Sequence, residues 1–428
     1  MVERLKSWID FLWMISIAPI ILCIPCNRKK IVFGAWMGRQ FSDNPKYFLK
    51  WIAENTDYKC YWIGRQEIKP QVGMYPKVHF VKRNTPMALW HWITAGWTVC
   101  NINPYSDIMR FPTYGRSKNL NLWHGTSLKK IGEAQYNGKG ESPSDFVPRK
   151  SSLKGCLALV ARIRQLKHKI QEWAMPQTAY TSCANRHMVE ILHRSFPMRF
   201  AEQRAVLAGQ PRNDFLVANR EDDAIKKKLK EKYGRIFGVP NDKRWYLYLP
   251  TWRHDLEDTF SFLRSQHKPT YQRLLESQGA VLIEKQHPII LLAKKLGGAH
   301  EGNIHVLPSS ANEQIDMQEL LLASDRLITD YSSCFFDFEV LKRPTIHFAY
   351  DYQKYATMDS GVEYELSDIA AGPVVETEVE LLSALTQSDD VLWNSRGKKA
   401  DEPIAAESGY ASERFAHLVG IKIKSVSK

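Results

Sequence analysis

The chain has 428 residues, of which 44% are hydrophobic and 25% are charged. This length is too great for a single hydrophobic core, and the ordinary composition excludes an extensively disordered protein, so we expect two globular domains. The formal net charge of +13 predicts an acidic partner, and the charge alone leaves nucleic acid, anionic lipid and a phosphate-rich substrate open.

The N-terminal segment is strongly apolar. Residues 8–26 read WIDFLWMISIAPIILCIPC and are followed by a basic triplet at 28–30. Because a complete crossing of a bilayer needs about 20 apolar residues, three interpretations are open: an anchor in one leaflet, a transmembrane helix, and a helix docked on the protein body. We favour a membrane-associating segment at 1–26, with the basic triplet keeping the body on the cytoplasmic side.

Strand-like runs and helical periods alternate from residue 30 onward. The predicted strands are 30–36, 58–64, 78–83, 97–102 and 120–125, and the predicted helices between them are 44–54 and 85–96. This alternation predicts a parallel sheet with helices on both faces, and we assign residues 27–219 to an N-terminal Rossmann-like domain.

One insertion departs from this rhythm. Residues 149–173 form a predicted basic amphipathic helix, in which Leu159, Ile163, Leu166 and Ile170 share a face and arginines and lysines lie off it. Such a helix either lies on an anionic membrane or packs on its own core with a solvated charged face. Both interpretations stay open.

The alternation returns after the charged helix predicted at 220–234. The further predicted strands are 244–252, 280–288, 304–308 and 344–351, with a strand and turn at 326–333 and helices at 270–278 and 316–324. We therefore assign residues 220–428 to a second Rossmann-like domain, which gives an α/β fold with two such domains.

Polar residues recur where the predicted strands end. His124, Arg253, His287 and Asp330 occupy such positions, and Ser332 follows Asp330 at the expected start of a helix. Ligands of open α/β sheets bind beyond the carboxyl ends of the strands. A histidine can take a proton from a hydroxyl, and an arginine can grip a phosphate with two donors. The set indicates transfer onto a hydroxyl from a phosphorylated donor.

Signals for metals and cofactors are absent from the sequence. Cys23 and Cys26 form a lone C-x-x-C pair with no second pair at zinc spacing, so the seven cysteines are expected to be reduced. The chain also lacks a phosphate-binding Walker A loop, a G-x-G-x-x-G fingerprint and a paired D-x-D. We predict neither a metal nor a cofactor.

Six sequence blocks occur in a characteristic order. They are FGAWMGRQFSDNPKY (33–47), NLWHGTSLKKIG (120–131), LAGQPRND (207–214), LYLPTWR (247–253), EKQHP (284–288) and LLLASDRLITDYSSCFFDFEVLKRPTIHFAYD (320–351). The chain resembles the CDP-glycerol glycerophosphotransferase family, bacterial enzymes that prime and polymerise teichoic-acid and related capsular poly(polyol phosphate) chains. One departure is Asp359-Ser360-Gly361, where the family commonly shows an arginine-glycine pair. Because of this departure, the polyol of the donor could be glycerol, ribitol or another polyol.

The resemblance implies a GT-B-like arrangement, in which two Rossmann-like domains face each other across a cleft. It implies that an acceptor hydroxyl, deprotonated by His124, attacks a CDP-linked polyol donor and releases CMP. It assigns catalysis to His124 and His287. It places on the donor side Arg253, Thr329, Asp330, Ser332 and Ser333, and on the acceptor side Gly38, Asn44, Gly125, Thr126 and Lys129.

The implied acceptor is a lipid-linked saccharide or growing polymer, reached from the cytoplasmic face of the bacterial membrane by a peripheral or monotopic enzyme. Two alternatives are a GT-B glycosyltransferase that uses a nucleotide sugar and a ribitol phosphotransferase that uses CDP-ribitol. A non-enzymatic polyanion-binding scaffold is a further class, but we expect no nucleic-acid partner. The sequence does not decide whether the protein forms a homo-oligomer.

Overall fold

A computed structural model describes residues 2–111, 113–128, 130–132, 166, 169–170, 178–196, 204–251, 259–286, 298–308, 314–352 and 362–424. The predicted helix at 149–173 therefore lies almost entirely outside the described residues. Two seven-stranded sheets form the framework of the described chain.

The first sheet is wholly parallel, with strand order β3-β2-β1-β4-β5-β6-β7. Its strands are β1 Asn27–Phe33, β2 Lys59–Gly64, β3 Val78–Lys82, β4 Ala95–Cys100, β5 Lys118–Asn121, β6 Thr178–Cys183 and β7 Ala205–Leu207. The strand order reverses between β1 and β4, which is where an open parallel sheet binds its ligand.

The second sheet has the order β10-β11-β9-β8-β12-β13-β14 and is parallel except for the β10–β11 pair. Its strands are β8 Arg244–Leu249, β9 Ala280–Glu284, β10 Ala299–Glu301, β11 Ile304–Val306, β12 Arg326–Thr329, β13 Thr345–Phe348 and β14 Val374–Val375. The predicted α/β fold with two largely parallel sheets is confirmed.

Helices connect the strands in both halves. They are α1 Val2–Cys23, α2 Asp43–Asn55, α3 Lys69–Gly73, α4 Pro86–Ile93, α5 Pro104–Asp107, α6 Arg186–Ser195, α7 Pro211–Asn219, α8 Asp223–Phe237, α9 Lys268–Ser277, α10 Met317–Ala323, α11 Cys334–Glu339, α12 Leu366–Ile369, α13 Glu378–Thr386, α14 Asp389–Asn394 and α15 Ala411–Val419. Local chemistry sets several ends: the Asp222 side chain caps α8, and Gly238 ends that helix in the left-handed conformation that glycine tolerates best.

Helix α1 docks on the first half along one face. Phe11, Ala18 and Ile21 are buried in a cluster with Ile93 and Tyr114. Among the residues that the structure describes, no helix is both long enough and apolar enough to cross a bilayer. The docked-helix interpretation thus describes one face of α1, and the membrane-associating role of residues 1–26 stays a prediction.

The last helix returns to the first half of the molecule. Phe415, Ala416 and Val419 of α15 are buried in the core cluster of the first sheet. The Asp214 carboxylate accepts hydrogen bonds from the backbone N–H groups of Ala411 and Ser412 at the start of α15. The division at 219/220 stays a prediction, and a segment assigned to the second domain completes the core of the first.

A buried polar contact joins the two halves between α2 and α10. The Lys46 ammonium lies 2.5 Å from the Asp316 carboxylate, and the Tyr47 hydroxyl donates to the same carboxylate at 2.9 Å. Asp316 also caps α10 through the backbone N–H of Gln318. Both members of the ion pair are buried, so this contact fixes the two sheets relative to each other.

Candidate active site

A cavity of about 480 Å³ lies between the carboxyl ends of the two sheets. The loop after β1 contributes Trp36 and Arg39 to its wall, and the loops after β9 and β12 contribute Lys285 and Ser332. Because strand ends of both sheets converge here, the cavity occupies the cleft that the two-domain prediction requires.

His124 lies beside this cavity, three residues beyond the end of β5. The predicted strand continued to residue 125, but the chain turns away earlier, since Trp123 adopts a φ of 54° and Gly125 a φ of 137°. The imidazole stacks on the Trp123 ring at a centroid distance of 4.6 Å and faces the Trp36 ring at 5.8 Å. These two aromatic rings restrict the orientation of the histidine.

Solvent reaches the His124 ring, although protein surrounds it on several sides. This partial loss of water lowers the pKa of His124, while the Asp43 carboxylate raises this pKa and the Arg212 guanidinium lowers it. A lowered pKa keeps the imidazole neutral at pH 7, which is the form that can accept a proton.

Ser333 of the second half meets the His124 loop of the first half. A Cβ atom built on Gly125 would lie 3.7 Å from the Ser333 hydroxyl oxygen and 3.0 Å from Nη2 of Arg212. Ser333 precedes α11 and its hydroxyl makes no capping hydrogen bond. The structure thus brings together predicted acceptor-side and donor-side residues.

Thr329 and Asp330 lie beneath the cavity and are fully buried. The Thr329 hydroxyl donates to the Leu249 carbonyl, and the Asp330 carboxylate accepts the backbone N–H groups of Thr251 and Ser332. These contacts tie the loops after β8 and β12 together. Both side chains therefore support the donor-side wall from behind.

Other predicted site residues have different surroundings. Asn44 is fully buried and binds backbone carbonyls, and Thr126 is buried as well. Gly38 adopts a φ of 72° and packs against Arg83, where a Cβ would come within 2.8 Å of the arginine side chain. Lys129, Arg253 and His287 lie outside the described residues, and their roles stay predictions.

Lys285 is a cation that we did not predict at this site. It directly follows β9, lines the cavity and is only 5% exposed. Burial lowers the pKa of Lys285 to about 8, so the ammonium remains mostly charged at neutral pH. The signal was present in the EKQHP block, where the lysine stands two residues before His287.

Within the described ranges, no group of three or more histidine, cysteine, aspartate or glutamate side chains is arranged to hold a metal ion. The expectation of a metal-free site stays a prediction.

Residues 16–420 match the family model described as CDP-Glycerol:Poly(glycerophosphate) glycerophosphotransferase. The chain belongs to this family. The resemblance read from the sequence blocks is thereby confirmed, and so is the enzyme class, a glycerophosphotransferase of teichoic-acid synthesis.

Individual relatives agree with this membership. The teichoic acid glycerol-phosphate transferase of Staphylococcus aureus is 26% identical over 409 residues, which cover 92% of this chain and 93% of the relative. The teichoic acid poly(glycerol phosphate) polymerase of Bacillus spizizenii is 28% identical over 376 residues, covering 86% and 85% of the two chains.

The fold is similar to that of the wall teichoic acid polymerase TagF. One TagF variant superimposes with a TM-score of 0.70 at 23% identity, covering 98% of this chain and 97% of the solved TagF chain. At this identity the likeness shows the fold alone, and it confirms the predicted GT-B-like arrangement of this family member.

Proposed function

We propose that this family member transfers glycerol phosphate from CDP-glycerol to a hydroxyl of a lipid-linked saccharide or growing polymer, and that CMP leaves. The observation that carries the proposal is the meeting of His124 and Gly125 with Ser333 at the cleft. A base from one half and a phosphate-binding hydroxyl from the other then face one reaction site.

The proposed step is an in-line displacement. The acceptor hydroxyl gives its proton to Nδ1 or Nε2 of neutral His124, and its oxygen forms a bond to the glycerol-side phosphorus. The bond from that phosphorus to the bridging oxygen breaks, and CMP departs with the electron pair. Such transfer depends mainly on positioning and on stabilisation of charge.

In this proposal, cations of the second half neutralise the donor phosphates, and hydroxyls of the same half donate hydrogen bonds to them. The Lys285 ammonium and the hydroxyls of Ser332 and Ser333 lie along the cavity wall or beside it. Arg253 and His287 would add to this set from the adjoining segments. Thr329 and Asp330 hold the wall in place through their buried hydrogen bonds.

We expect CMP release from CDP-glycerol in the presence of membranes that carry the acceptor, because the family transfers glycerol phosphate. The measurement compares CDP-glycerol, CDP-ribitol and a UDP-sugar at equal concentrations and quantifies CMP and UDP by chromatography. CMP from CDP-ribitol alone would assign the ribitol alternative, which the Asp359-Ser360-Gly361 departure keeps open. A folded protein that releases UDP and no CMP would support the nucleotide-sugar alternative instead.

For localisation, we propose that α1 lies in the surface of the cytoplasmic leaflet. The face of α1 opposite its docked side exposes large apolar side chains, with Leu12 62% exposed and Ile20 65% exposed. Arg28 and Lys29, which follow the helix, are exposed and fit an anionic headgroup layer. The whole protein's charge of +13 has the same sign.

A double variant, Leu12→Ser with Ile20→Ser, is expected to lose most of its co-flotation with vesicles containing phosphatidylglycerol, because it removes apolar area from the inserted face. The control pair, Val379→Ser with Val391→Ser, alters side chains that are 67% and 49% exposed on α13 and α14. The control should float like the unmodified protein. Equal flotation of both variants would assign attachment to another surface, such as the 149–173 segment.

A further inference from the structure

We propose that Arg212 is a positioning residue for the transfer reaction, holding the His124 peptide in place and linking it to the donor-side helix α11. This inference rests on the proposed role of His124 as the base. Arg212 lies at the start of α7, in the segment between the two sheets, and is only 7% exposed.

Side chains hold three successive carbonyl groups at the end of β5. The Asn44 amide donates to the carbonyl oxygens of Leu122 and Trp123 at 3.1 and 3.2 Å. Nη1 of Arg212 donates to the carbonyl oxygen of His124 at 3.1 Å. Trp123, with its φ of 54°, is in a region that non-glycine residues avoid unless their surroundings impose it. Hydrogen bonds from the side chains of other segments therefore fix the backbone that orients the imidazole.

The residues that hold this backbone are bonded to one another. The side-chain oxygen of Asn44 accepts a hydrogen bond from the backbone N–H of Arg212 at 3.1 Å. The Asp43 carboxylate accepts a hydrogen bond from Nη1 of Arg212 at 2.7 Å. The carboxylate also accepts the backbone N–H of Asn44. The start of α2 and the start of α7 thus form one buried unit behind the histidine.

The other arm of the guanidinium reaches the second half. Nη2 of Arg212 lies 2.7 Å from the Asp337 carboxylate, and Asp337 is on α11, which begins directly after Ser333. One planar cation therefore binds the His124 carbonyl, an acceptor-side carboxylate and a donor-side carboxylate together. A lysine would keep the charge but could not present this fixed fork of donors.

The test uses Arg212→Lys in the full-length protein with CDP-glycerol and membranes. We expect kcat to fall about 10²-fold, since small displacements of a reacting group have effects of this size, while KM for CDP-glycerol stays within about threefold. The matched control is Arg326→Lys. Arg326 is also buried and binds Asp389 and two backbone carbonyls, but at the opposite end of β12. Its kcat per folded enzyme should be unchanged.

A pH profile separates positioning from general loss of structure. The charged groups that face His124 are Asp43 on α2 and Arg212 on α7, and Asp337 on α11 faces the guanidinium. Arg212→Lys keeps the positive charge near His124, so the acidic limb of the pH profile of kcat should stay at the same pH. Asp43→Asn removes a charge that raises the pKa of His124, so this limb should move to lower pH as kcat falls.

Three results would overturn the proposal. Arg212→Lys with kcat within about twofold of the unmodified enzyme, beside an inactive His124→Ala, would reject the positioning role and leave the proposed function intact. A large rise in KM for CDP-glycerol at unchanged kcat would mean that Arg212 binds the donor directly. An active His124→Ala variant would reject both the base and its positioning.

Discussion

His124→Ala is expected to lower kcat for glycerol phosphate transfer by about 10²–10⁴-fold, the range that a positioned general base contributes. The imidazole makes its described contacts with the Trp36 and Trp123 rings and is reached by solvent, so its removal should leave the free energy of unfolding nearly unchanged. The measurement is the initial rate of CMP release at saturating CDP-glycerol, together with thermal unfolding.

His79→Ala is the matched control for this change. His79 is exposed on β3, and its ring contacts Tyr61 away from the cleft. This variant should turn over at the rate of the unmodified enzyme. A His124→Ala variant that kept more than about a tenth of kcat would contradict the assignment of the base.

The same assignment predicts a pH dependence. The base acts when its imidazole is neutral, so kcat falls as the pH drops through the pKa of His124. Because loss of water around the ring lowers this pKa, the acidic limb should lie below about 6.5, the ordinary value for histidine. The remaining activity of His124→Ala should lack that limb.

Asp316→Ala is expected to reduce the free energy of unfolding by about 3–5 kcal/mol, the range measured when one partner of a buried ion pair is removed. The change leaves the Lys46 ammonium buried without its carboxylate, removes the partner of the Tyr47 hydroxyl and uncaps α10. Urea unfolding, followed by tryptophan fluorescence, measures the difference.

Asp368→Ala is the control, because the Asp368–Lys399 pair is exposed and such pairs contribute less than about 1 kcal/mol. The contribution of Asp316 should also depend on pH. Burial opposes ionisation of this carboxyl, but the Lys46 ammonium prevails and lowers the pKa of Asp316. Its stabilisation is therefore complete above the ordinary aspartate value of about 3.8 and is lost as the pH falls through the lower folded value. Equal loss in both variants would show that the contact between the halves adds no special stability.

The sequence predicted the framework better than it predicted the roles of single polar residues. Alternating periods placed most strands correctly because buried parallel strands are short continuous apolar runs. Strand β6 was missed, since its residues TAYTSC are mostly small or hydroxylated and resemble a loop. The end of β5 was placed too late because Leu122 and Trp123 continue the apolar run after the strand has ended, although Trp123 takes a φ of 54° and the chain turns there.

For the site, the blocks located the right segments without showing which way each side chain faces. Asn44 was expected on the acceptor side, but it turns inward and binds carbonyls of the strand end. Arg212 and Lys285 stand in two of the sequence blocks, but the sequence does not predict them as site residues, because a basic residue at the end of a strand or helix is usually solvated. Only the tertiary packing of two sheets buries them at the cleft.

The position of α15 has a consequence for how the protein is made. A ribosome releases the first sheet long before it releases Phe415 and Val419, which fill the core of that sheet. The first half therefore cannot complete its core when its own strands have emerged. Multidomain chains usually fold one domain at a time during synthesis, beginning with the N-terminal domain. The growing chain exposes that apolar surface until translation of both halves is nearly complete, so a nascent-chain chaperone has a defined period in which to act.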